Sequence, residues 1–121
     1  MQTLSAILVV LTALEFFYIF YLETIATTSI KTAKTFNMTT DALKGDSVAT
    51  LLKNQGVYNA LIGVLLLINL FVIHSKIQIL LILGFIIIVA AYGSFTSNPK
   101  IILKQGGIAM VAFVLVLLFG L

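Results

Sequence analysis

Glu15 and Glu23 stand within and at the end of one apolar run, ALEFFYIFYLE, residues 13–23. Three amides and a tyrosine (Asn54, Gln55, Tyr58 and Asn59) crowd into NQGVYN, residues 54–59, where a second apolar run begins. Tyr92, Ser94 and Thr96 close a third run, and Lys104 and Gln105 open a fourth. A carboxyl group among amides and phenols can exchange a proton, partner a cation, or orient the polar head of a bound molecule. The same donors can hold a carbonyl or an oxyanion. No Ser/His/Asp set, metal-ligand spacing or glycine-rich phosphate loop accompanies them. With no cysteine and a single histidine, His74, neither a metal nor a cofactor is expected. His74 reads as a turn residue.

The elements that must position these groups are long and apolar. The chain of 121 residues has a mean hydropathy of +1.21 and few charges. Its apolar residues fall into four blocks, at 3–22, 54–73, 77–97 and 101–121. Each is near the roughly 20 residues that cross a bilayer as a helix. The expected fold is all-α, a single integral membrane domain of four helices. Glu15 does not prevent insertion of the first block. A charge at a helix centre costs about 2.5–3.5 kcal/mol, whereas the 12 Leu, Ile, Val and Phe residues between Leu4 and Leu22 return roughly 4–7 kcal/mol. That block has no basic leader and no small-residue cleavage site, so it reads as a retained helix rather than a signal peptide.

Orientation follows from lysine. Lys31, Lys34, Lys44, Lys53, Lys100 and Lys104 lie on one side of four crossings, and Lys76 alone lies on the other. The positive-inside rule makes the 23–53 loop cytoplasmic and puts both termini outside. This excess speaks to orientation and lipid headgroups, not to nucleic acid. Within the loop, Thr40 is expected to cap a short helix through Lys44 that Gly45 ends, and Asp46 or Ser47 to cap the next helix. The sequon at Asn37 falls on the cytoplasmic side and reads as accidental. Asn98-Pro99 predicts a tight turn.

With this topology the polar residues gather in one layer near the cytoplasmic side. Glu15 and Tyr18 share a face of the first helix with Glu23, and the NQGVYN group fills an arc of the second. Glu15 is expected to share a cavity with those amides, with Tyr18 and Tyr92 among its walls. Gly56 and Gly63 flank the arc and permit close backbone approach. LKNQG at 52–56 and LKQGG at 103–107 echo each other, pointing to two related helical hairpins.

The stretches ALEFFYIFYLE, KNQGVYNALIG (53–63), AYGSFT (91–96) and LKQG (103–106) together resemble the small bacterial membrane proteins of domain of unknown function family 1304. The resemblance spans nearly the full length. It implies a four-helix protein of the bacterial cytoplasmic membrane and supplies no activity. Where that family often carries a histidine after the position of Glu15, this chain has Phe16.

Three functions remain open. The first is a binding protein or carrier for a small amphipathic molecule or ion, with a homo-oligomer needed for transport. The second is an enzyme acting on a lipid or quinone-like substrate. The third is an assembly subunit whose polar residues only join helices.

Overall fold

The computed structural model describes residues 1–97 and 99–121, with the backbone alone over 101–104. Asn98 of the expected Asn98-Pro99 turn and the Lys104 side chain lie outside the described residues. Among the described residues every regular element is a helix: α1 (Gln2–Phe20), α2 (Ile30–Phe36), α3 (Thr40–Lys44), α4 (Asp46–Ile68), α5 (Lys76–Thr96) and α6 (Ile101–Phe119). Among the described residues six α-helices stand where four were expected. The four long ones match the apolar blocks, and the loop adds two short ones. α1 and α4 each continue into a wider π-helical turn, Tyr21–Ile25 and Asn69–Ile73. With those turns, Gln2–Ile25, Asp46–Ile73 and Lys76–Thr96 are long and apolar enough to cross a membrane, while Gln105–Phe119 is a shorter apolar helix.

Local chemistry explains the ends. Ser29 accepts from the Thr32 amide and starts α2, a helix the sequence reading missed. Thr39, not Thr40, caps α3 by accepting from the Ala42 amide, and Gly45 ends it as expected. Gly45 also serves as the N-cap of α4, so Asp46 falls in the first turn, where a negative charge suits the helix dipole. Asn37 and His74 both adopt left-handed backbone, with φ of 56° and 58°. Asparagine tolerates that region well, which accounts for Asn37 at the end of α2 without any role for the sequon.

The packing order is not the chain order. α1 lies between α4 and α6, and α5 packs on the far side of α6. α4 and α5, joined only through His74 and Ser75, make little contact with each other. A short connection normally brings helices together as neighbours; here it joins the two outer members of the set. The core runs through Val9, Ala13 and Phe16 of α1, Leu66 of α4, Leu83 and Ile86 of α5, and Ala109 and Ala112 of α6. Phe16 is thus a packing residue.

Two glycines set the α1–α4 approach. A β-carbon on Gly63 would lie 2.8 Å from the Phe17 ring and 3.0 Å from the Ala13 carbonyl oxygen. One on Gly56 would overlap the Thr24 hydroxyl. Gly107, the counterpart of Gly56 in the echoed LKQGG, has nothing within 4 Å of that position. The repeated pentapeptide therefore serves helix contact in α4 but not at the same place in α6.

Candidate functional site: a cleft between α4 and α5

Since α4 and α5 stand apart, the space between them is open. It is a cleft of about 810 Å³, lined on one wall by Leu51, Leu52, Asn54, Gln55, Tyr58, Asn59 and Ile62 and on the other by Phe85, Val89, Tyr92, Gly93 and Ser97. Gln105 of α6 and Phe36 and Met38 of the loop complete it. Polar groups concentrate toward the loop end. Ile62, Phe85 and Val89 supply apolar wall above them. Tyr58 and Tyr92 are 73% and 70% exposed, so they form the rims of the cleft rather than its floor.

The acid behind this wall is Glu23. It is fully buried in the π-helical turn after α1, and its two oxygens take separate donors. Gln55 Nε2 donates to Oε2 at 2.5 Å and Asn59 Nδ2 donates to Oε1 at 2.6 Å. The π-helical turn itself is marked by the Ala26 amide bonding back to the Tyr21 carbonyl at 2.8 Å. Three threonines then fix the segment. Thr24 donates to the Lys53 carbonyl (2.8 Å), Thr27 to the Glu23 carbonyl (2.7 Å), and Thr32 lies within 2.9 Å of the Leu22 carbonyl and 2.7 Å of that of Ala26. The last carbonyls of a helix need partners from outside it, and α2 brings one in the form of Thr32.

Glu15 does not join the amides. It lines a second cavity of about 390 Å³ with Tyr18, Ile19, Leu22, Lys31, Thr35, Phe36 and Gln105. Its Oε1 is buried without a hydrogen-bond partner among the described residues. Lys31 stands 5.8 Å from the centre of the Tyr18 ring, which stacks on Tyr21 at 6.4 Å. Phe36 and Gln105 border both cavities and separate them. The expectation of one cavity shared by Glu15 and the amides is thus corrected, and register supplies the reason. Gly56 sits against Thr24 and Gly63 against Phe17, which sets Glu15 level with Leu65. That is six residues beyond Asn59, or about 9 Å along the helix.

Of the residues singled out from sequence, Asn54, Gln55, Tyr58, Asn59, Tyr92 and Gln105 therefore line the cleft and Glu23 backs it. Glu15 and Tyr18 belong to the second cavity. Asn69 is buried in the other π-helical turn, donating to the Leu65 carbonyl at 3.0 Å. Phe36, Met38, Phe85 and Val89 were missed as lining residues. Among the described residues there is no group of three His, Cys, Asp or Glu side chains placed to hold a metal.

A family model described as "Protein of unknown function (DUF1304)" matches residues 10–117. The chain belongs to the DUF1304 family. It is similar to "Uncharacterized protein YpaA" of Lactococcus lactis subsp. lactis (strain IL1403), with 53% identity over 115 residues covering 94% of this chain and 97% of the relative. No solved structure matches. The DUF1304 match takes in the whole cleft, from Glu23 to Gln105.

Proposed function

We propose that this chain is a multi-pass protein of the bacterial cytoplasmic membrane that binds a small amphipathic molecule in the α4–α5 cleft. The observation that carries the reading is the cleft's division into a polar end, with four amides and two phenols, and an apolar remainder. A ligand with one polar head and an apolar body matches that division, since pockets gain affinity from apolar lining and orientation from a few polar groups. The volume of about 810 Å³ falls within the usual range for small-molecule sites.

The membrane assignment rests on the three candidate spans and on what surrounds them. Ile88 is 72% exposed, Leu81 67% and Val72 71%. An outer surface of such residues suits hydrocarbon and not water. Four crossings with the loop inside put the lysine-rich end, and with it the polar end of the cleft, at the cytoplasmic face.

The test is chemical. The purified protein is extracted and its bound molecules are compared by mass spectrometry with bulk lipid, for the wild type and for Val89→Trp, which fills the apolar part of the cleft. An amphiphile enriched near one per chain in the wild type and lost from the variant is the expected result. An extract matching bulk lipid, unchanged by the substitution, rejects the reading.

A further inference from the structure

Gln55 and Asn59 both present their nitrogens to Glu23 and both line the cleft. A carboxylate only accepts hydrogen bonds, so a planar amide beside it points its NH₂ edge inward and its oxygen the other way. Neither amide oxygen accepts a protein hydrogen bond among the described residues. Both residues line the cleft, so the two acceptors are free to meet a ligand head there.

The arrangement is held firmly. Glu23 is 0% exposed and cannot turn to solvent. Its backbone carbonyl is tied by Thr27 at 2.7 Å, and Gly56 passes so close that a β-carbon there would sit 3.1 Å from the Glu23 β-carbon. The amides of Gln55 and Asn59 lie one helical turn apart on α4, so one carboxyl group spans both.

We infer that Glu23 sets the hydrogen-bond polarity of the cleft: by holding both amide nitrogens it turns the Gln55 and Asn59 oxygens toward the ligand, and the cleft selects amphiphiles whose head donates hydrogen bonds, a hydroxyl or an amine, over heads that only accept. The inference rests on the cleft reading above and names the ligand class for it. Glu23 is a positioning residue; it acts through the amides and touches no ligand. Each amide keeps one further hydrogen, and Asn54 and Tyr58 can both donate and accept. The selection is therefore a ratio of affinities.

Two neutral probes of equal chain separate head polarity from charge: dodecanol, which donates and accepts, and methyl dodecanoate, which only accepts. Binding is read in nanodiscs from competition with a brominated chain that quenches tyrosine fluorescence at Tyr58 and Tyr92. The wild type is expected to prefer the alcohol about tenfold, the effect of one amide oxygen left without its donor. Glu23→Gln replaces an acceptor pair by one acceptor and one donor, so one of the two amides must reverse and show its NH₂ to the cleft. The preference should then fall to near unity or invert, which a merely structural residue would not cause. Asn59→Leu, which leaves Glu23 in place and deletes one oxygen, should lower the ratio about threefold and supplies the reading if Glu23→Gln does not fold. Equal affinities in the wild type, or a ratio unchanged by whichever of these two variants folds, overturn the inference and leave the cleft reading standing. If neither probe competes in a saturable way, and Val89→Trp changes nothing, both fall together.

Discussion

The Thr24 hydroxyl lies directly over Gly56 and donates across the helix crossing to the Lys53 carbonyl at 2.8 Å. Any side chain on Gly56 displaces Thr24 and, with it, the neighbouring Glu23. Gly56→Ala is therefore expected to cost about 1–3 kcal/mol, the usual range for overpacking, and to lower occupancy of the cleft. Gly63→Ala, which meets a Phe17 ring and a backbone oxygen, should cost a similar amount and leave occupancy unchanged. Unfolding midpoints in detergent, measured beside ligand recovery, check both.

Gly107→Ala should do the opposite. With open space at the β-carbon position, the substitution gains the roughly 0.5–1 kcal/mol by which alanine exceeds glycine within a helix. A loss as large as that of Gly56→Ala would mean that the two pentapeptides occupy equivalent environments after all.

Thr32→Val keeps the shape of a fully buried side chain and removes its hydroxyl. The Leu22 and Ala26 carbonyls lose their donor from α2. Leaving a buried acceptor unpaired costs about 1–3 kcal/mol, and the damage should appear as faster hydrogen exchange over Tyr21–Ile25. An unchanged exchange pattern there would show that α2 is not what holds the end of α1.

The two glutamates should respond in opposite senses to leucine. Glu15→Leu removes an oxygen that is buried without a partner among the described residues, and should raise stability by about 1–3 kcal/mol with cleft occupancy retained. Glu23→Leu releases Gln55 and Asn59 and should reduce both stability and occupancy. Thermal unfolding and ligand recovery on the pair decide which acid serves the cleft.

Topology can be read directly, because the chain has no cysteine of its own. Single cysteines at Lys34 and Leu121 are expected to react oppositely with an impermeant thiol reagent on intact cells, Leu121→Cys labelled and Lys34→Cys protected. The reverse pattern would place the polar end of the cleft at the outer face.

The four long helices were legible as long apolar blocks, three of them long enough to cross a membrane, and the gathering of polar residues at one end followed from their alternating directions. Gly56 and Gly63 announced a close backbone approach on α4, though not that α1 would be the partner. The exchange of Glu15 for Glu23 was not legible. It depends on the vertical offset between α1 and α4, fixed by which residues meet the two glycines, and on the extra residue that a π-helical turn admits; neither leaves a periodic signal. Phe36 escaped for a related reason. The helix that carries it is short, and only the Ser29 cap, three residues before Thr32, marked its start.

The cleft lies between two helices that hardly touch, with the exposed Phe85 and Val89 in its wall, and in the membrane setting proposed above its open side would face acyl chains. A guest would arrive from the leaflet without ever crossing water. Its supply is then its mole fraction among neighbouring lipids, not its molarity in the cytosol, and an apolar guest gains nothing from leaving water at the moment of binding because it has already left. What remains to distinguish one guest from its neighbours is packing and the few hydrogen bonds at the head. A modest preference there, multiplied by a high local abundance, is enough to keep such a site filled.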